Sequence, residues 1–249
     1  MATDPVARKI PHVEDPARFE LRDFQESEFV EIVASEKIDI KMQYPILGMA
    51  CAEPQCFLRR EAAERLYQAA EGLPAGYRFR IWDAWRPFAL QKELYEVYSK
   101  DIIRDFHLES VSEEERAAVI RGFVSDPIAD REVPPAHTTG GAIDLTILDE
   151  NGAELDMGTK FDAFTSRTIT DFFENDDIIS NQDPQWNEAH VKEIRENRRL
   201  LYFLMTDAGF TNLPSEWWHF DFGDRNWAYY RNQPAIYKGA FTKEELHGK

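Results

Sequence analysis

The sequence has 249 residues, 43% hydrophobic and 30% charged, which is material for one sizeable core and does not require a second domain. Its formal net charge of −17 opposes phosphate backbones and anionic lipids, so neither nucleic acid nor a membrane surface is an expected partner. The opening stretch MATDPVARKIPHVEDPARF has no apolar run of the kind a leader or a span needs, and the expected location is the cytoplasm.

In chain order, residues 1–25 are rich in charge and proline and read as an arm over the surface. Residues 26–249 read as one domain, with no repeat or linker. Cys51 and Cys56 stand at C-x4-C spacing without a second half, so unpaired thiols are expected. Phe57 to Gly72 has helical periodicity in Leu58, Ala62, Leu66 and Ala69, with Gly72 as a stop. Tyr77 to Ala84 alternates like a strand. Pro87 precedes a helix over Phe88–Ile103, and Ser112 caps another over Glu113–Phe123. Ala142 to Leu148 is a short β-rich run after Gly140-Gly141. Asn187 to Ala208 is the longest helical candidate, closed by Gly209. Glu216 to Phe222, EWWHFDF, reads as an aromatic strand. Helices and strands mix without βαβ alternation, which predicts α+β: a small, mostly antiparallel central sheet flanked by helices.

Two of the six histidines have unusual surroundings. His137 precedes Asp144 by seven residues in AHTTGGAIDL, and the glycines between them permit a tight turn. Asp144 enters an otherwise apolar strand, where a carboxylate is costly unless paired or bound to a cation. His219 follows Glu216 by three residues in EWWHFDF. Strict alternation would put those two on opposite faces, so a bulge or strand end is needed to join them. Two imidazoles and a carboxylate are a normal set for a catalytic zinc with one position left for water. Glu216 fits the base that takes the water proton. Arg86, just past a strand in WDAWRPF, could stabilise an oxyanion, although most such arginines only pair with surface acids.

The stretches RIWDAWRPFALQ, HTTGGAIDLT, LDMGTKFDAF and EWWHF, in that order, resemble the D-alanyl-D-alanine dipeptidases. Those belong to a zinc peptidase class shared with D-Ala-D-Ala carboxypeptidases and the hedgehog domain, whose fold is then expected here. The resemblance implies one zinc held by His137, Asp144 and His219, with Glu216 as general base and Arg86 stabilising the transition state. It implies that Asp162 holds the substrate's ammonium and that the substrate is a small dipeptide such as D-Ala-D-Ala. One departure stands out: Pro135 occupies the place of a family serine two residues before the first histidine. It leaves open a different dipeptide or amide, in cell-wall recycling or natural-product metabolism. A non-catalytic zinc-binding module is a third reading, disfavoured by the retained Glu216, Arg86 and Asp162. A homodimer contact through NWAYYRNQPAIY is a further expectation.

Overall fold

The computed structural model describes residues 4–14, 21–179 and 184–247. Strand β1 (Phe29–Ile32) is followed by β2 (Ile38–Ile40) and a single helical turn, α1 (Gln43–Ile46). Strand β3 (Cys56–Arg59) runs directly into helix α2 (Arg60–Glu71), and β4 (Arg78–Asp83) leads to α3 (Phe88–Asp105). Helix α4 (Glu113–Arg121) and β5 (Ala142–Leu148) come next, then α5 (Glu188–Asp207), β6 (Thr211–Asn212), β7 (His219–Asp221) and α6 (Arg225–Arg231).

Five strands form the central sheet in the order β2-β4-β5-β7-β6. The β2–β4 pair is parallel and the others are antiparallel. The protein is thus α+β, with a small, mostly antiparallel sheet, as expected. Strands β1 and β3 make a separate antiparallel pair. Ile143, Leu145 and Ile147 of β5 are fully buried in the main core with Phe79 and Ile81 of β4, and α2 and α5 add Leu66, Ala69, Leu201 and Met205.

Most expected elements keep their sequence patterns to within two residues, and two depart further. The helix expected from Phe57 begins at Arg60, because Cys56, Phe57 and Leu58 are all buried and pair with β1 instead. The strand expected over Glu216–Phe222 contracts to His219–Asp221. Upstream, Glu216 N–H donates to Leu213 O and His219 N–H donates to Glu216 O, a turn rather than an extended run. Helix α4 carries a capping box between Ser112 and Glu115, which satisfies donors otherwise orphaned at its N-terminus. Helix α5 is capped by Asn187 and closed by Gly209, whose φ of +105° suits glycine.

Of the N-terminal stretch, residues 4–10 lie against α5, while Asp23 and Gln25 N–H donate to the carbonyls of Ala235 and Ile236. Arg8 pairs with Asp207 and sits 3.7 Å over the Phe203 ring, and Ile10 is buried. Of the aromatic C-terminal stretch, Trp227, Ala235 and Tyr237 pack into the main core. Cys51 and Cys56 are both free thiols. Among the described residues no helix is long and apolar enough to cross a membrane.

Candidate metal centre and active site

Sheet register builds the centre of the site. Asp144 of β5 lies opposite Asp83 of β4 on one side and His219 of β7 on the other. Directly opposite residues in antiparallel strands hold their side chains within reach. His137 joins this row from a 3₁₀ turn, Ala136–Thr139, that feeds β5. The two glycines after that turn are sterically required. Gly140 has φ +75°, and a Cβ on Gly141 would lie 2.1 Å from the Phe222 carbonyl oxygen.

His137, Asp144 and His219 are all buried, and one ligand atom from each lies within 4.8 Å of the others. His137 Nε2 is 3.1 Å from His219 Nδ1 and 3.3 Å from Asp144 Oδ2, while His219 Nδ1 is 2.9 Å from Asp144 Oδ1. The outer ring nitrogens decide what the inner ones carry. His137 Nδ1 is 2.8 Å from the Ala84 carbonyl, which can only accept, so in the neutral ring this nitrogen donates. His219 Nε2 is 2.8 Å from Asp221 Oδ1, inside the sheet, and likewise donates. Both inward nitrogens of the neutral rings therefore present lone pairs, aimed at each other and at a carboxylate. Three converging acceptors repel unless a proton or a metal cation stands among them. Burial opposes a charge on His219, but Asp221 and Asp144 raise its imidazole well above the ordinary range, so a proton can take this place, and the same donor set suits a divalent metal ion. Burial works against ionising Asp144, yet the two histidines hold its carboxyl below the ordinary range.

The turn before β7 solves the geometry that strict alternation forbids. Asn212 Nδ2 donates to the carbonyls of both Glu216 and His219, at 3.1 and 2.9 Å, and pins the turn. Residues three apart then face the same side, and Glu216 Oε2 comes 3.8 Å from His219 Nδ1. Desolvation in the cavity raises the Glu216 carboxyl above the ordinary range, opposed by His219.

Arg86 follows β4 and is buried beside the cluster. Asp83 Oδ2 accepts from its Nε and Nη2 at 3.0 and 2.6 Å, and Gln91 Oε1 accepts from Nη1 at 2.8 Å. Burial disfavours the charge, but Asp83, with Tyr44 and Asp144, more than offsets it and the guanidinium stays protonated. Asp162 is partly buried in the wall of the same cavity, with φ +54°. Its Oδ2 accepts from the hydroxyls of Tyr44 at 3.0 Å and Tyr98 at 2.7 Å. Burial, and then the charge of Asp144, push its carboxyl up to about 6, although both tyrosines pull it down.

Every site residue expected from the sequence thus lines one cavity of about 60 Å³, together with Pro135. This cavity shares Ser125, Pro135, Leu213 and Glu216 with an outer one of about 330 Å³, which Asp162 does not reach. Sequence reasoning missed Asp83, Gln91, Tyr44, Tyr98 and Asp221. Asp83 and Gln91 had a local signal, three residues before and five after Arg86. The tyrosines had none, since they reach Asp162 across 118 and 64 residues.

A family model described as D-ala-D-ala dipeptidase, in peptidase family M15, matches residues 31–238. The chain belongs to that family. It is 30% identical over 184 residues to the D-alanyl-D-alanine dipeptidase of Synechocystis sp., covering 71% of this chain and 73% of the relative. It is 26% identical over 204 residues to the Escherichia coli K12 protein of the same name, covering 75% and 84%. An Enterococcus faecium D-alanyl-D-alanine dipeptidase matches at 27% over 171 residues, 64% and 70% of the two chains. The M15 family makes this chain a peptidase, and its His137–Asp144–His219 cluster could hold a metal ion.

Proposed function

We propose that the protein is a zinc dipeptidase that hydrolyses D-Ala-D-Ala or a closely related dipeptide. The observation that carries this reading is the convergence of three lone-pair donors, His137 Nε2, Asp144 and His219 Nδ1, beside a second carboxylate, Glu216, 3.8 Å from His219 Nδ1. When bound, zinc supplies Lewis acidity to the substrate carbonyl and acidifies water.

The remaining chemistry belongs to the chain. Asp162 binds the substrate's ammonium, oriented by Tyr44 and Tyr98. Its position in the inner cavity favours a free amino terminus close to the scissile bond, hence a dipeptide over a long chain. Glu216 takes the proton of the attacking water and returns it to the leaving amine. Arg86, held rigid by Asp83 and Gln91, faces the developing oxyanion and costs little reorganisation in the reaction. Trp217 and Trp218 stand between Glu216 and His219 and are buried, which keeps that side of the site dry and strengthens each charge interaction.

Pro135 favours a second reading of the same machinery. It lines the inner cavity where the family serine would stand, and its ring brings neither hydroxyl nor N–H to a substrate. A different dipeptide or small amide would then be the preferred substrate. Purified, zinc-loaded protein tested on D,D-, L,D- and L,L-dipeptides separates the readings. Release of D-alanine from D-Ala-D-Ala supports the first, and preference for another dipeptide supports the second. A zinc-loaded protein inert on the whole panel contradicts both.

A further inference from the structure

Asp162 does not lie on a strand or helix. It stands midway in an irregular loop, five residues after Met157 and five before Arg167. Apart from one bridge at Glu154, the segment from Asp149 to Thr165 contains no strand or helix. Such a loop should wander, yet Asp162 is held at φ +54°, in the left-handed region that aspartate tolerates better than most residues but that still carries a cost.

One side chain from α5 closes the loop. Arg198 is fully buried, and its guanidinium reaches both ends at once. Nε donates to Met157 O at 2.8 Å, Nη2 to Arg167 O at 2.7 Å and Nη1 to Ile169 O at 2.7 Å, with a longer contact to Thr170 O at 3.4 Å. Asp156 and Asp171 influence it from a distance, but among the described residues its hydrogen bonds go to backbone carbonyls and not to a carboxylate, and burial pushes its pKa down to about 9. A buried guanidinium without an ion-pair partner is expensive, and an apolar side chain of similar volume would fill the space more cheaply. What an apolar residue would lack is a rigid fork of donors spanning two backbone segments. The guanidinium carbon of Arg198 also lies 5.7 Å from the centroid of the Trp217 ring, next to Glu216. The clamp therefore ties the Asp162 loop to the turn that carries Glu216.

We infer that Arg198 is a positioning residue for the substrate ammonium: it staples the ends of the 157–167 loop and so fixes where Asp162 stands relative to Glu216. This rests on the reading of Asp162 as the ammonium partner. It predicts that loss of the clamp weakens recognition of the amine and leaves metal loading and the chemical step in place.

The test uses two inhibitors, a phosphinate isostere of D-Ala-D-Ala and the same compound without its α-amino group. Both are titrated against zinc-loaded wild type, Arg198→Gln, Arg198→Lys and Asp162→Asn. Wild type should prefer the aminated compound by about 10–100-fold, the range of a charge-assisted contact. In Arg198→Gln that preference should fall to within a few-fold of unity, with KM raised, kcat within a few-fold and zinc content unchanged. Arg198→Lys should be intermediate, because an ammonium cannot bridge both loop ends with the same fork. It also carries the test if the glutamine variant fails to fold. A wild-type preference in Arg198→Lys or Arg198→Gln, alongside its loss in Asp162→Asn, overturns the inference and leaves the Asp162 reading intact. A preference that survives in Asp162→Asn overturns that reading, and the inference with it.

Discussion

The two halves of the site are built differently. The metal half rests on adjacent strands: Asp83, Asp144 and His219 form a row across β4, β5 and β7, and His137 enters from a turn locked by two glycines. The amine half rests on a loop: Asp162 is held at its apex by two distant tyrosines and at its ends by Arg198. A sheet sets ligand positions through backbone register, so a single side-chain change there should alter chemistry without moving the frame. A loop depends on each side chain that pins it, so changes there should spread into binding. Metal chemistry needs the first kind of support, and a recognition element tolerates the second.

The largest expected effect tests the metal half. Glu216→Gln should lower kcat by about 10³- to 10⁴-fold, the upper range for general acid–base catalysis, with zinc content unchanged. Steady-state D-alanine release with metal analysis on the same sample checks it. Next, Asp162→Asn should raise KM by about 10–100-fold, the loss of one charge-assisted contact, with a smaller change in kcat. If kcat fell and KM held, the division between the halves would fail.

The third prediction reaches behind the metal ligands. Asp221 is fully buried, holds the outer nitrogen of His219 and accepts from Asn226 Nδ2 at 3.2 Å. Asp221→Asn should weaken zinc affinity by about 10–100-fold, the usual cost of losing such a partner, as read by competition with a chelator. A pH effect comes next. With the Asp162 carboxyl raised to about 6, its charge is complete above that pH and lost below it. kcat/KM should therefore fall as pH drops through about 6, by about tenfold per unit once a single proton controls it. Asp162→Asn should remove that step of the profile and leave the step set by the raised Glu216 carboxyl. The smallest effect is expected from Tyr98→Phe, which deletes one of two hydroxyl donors. About 0.5–1.5 kcal/mol corresponds to a 2- to 10-fold rise in KM. An effect as large as that of Asp162→Asn would mean that Tyr98 touches substrate itself.

The same contrast explains what the sequence made legible. β5 was readable to the residue because all seven of its positions are buried between short glycine and turn signals. His137, Asp144 and His219 stood out because charged or metal-binding side chains in apolar, aromatic runs are chemically anomalous. The relation of Glu216 to His219 was harder. Alternation in EWWHFDF suggested an extended strand, but hydrogen bonds from Asn212 and to Leu213 convert its first half into a turn. Phe57–Arg59 misled in the same way: their spacing suits a helix, and only the partner strand β1 makes them extended. Tyr44, Tyr98 and Arg198 were invisible as site residues. Their roles arise from tertiary contacts between segments far apart in the chain, and no local period encodes such contacts.

The measurement that tests the central reading most directly is an anomalous-scattering crystal structure of zinc-loaded protein, collected at the zinc edge. The expected result is one peak per chain, bound by His137 Nε2, an Asp144 oxygen and His219 Nδ1, with Glu216 beside it and not coordinating. A peak at any other cluster, or one bound through the outer nitrogens of these histidines, would contradict the assignment.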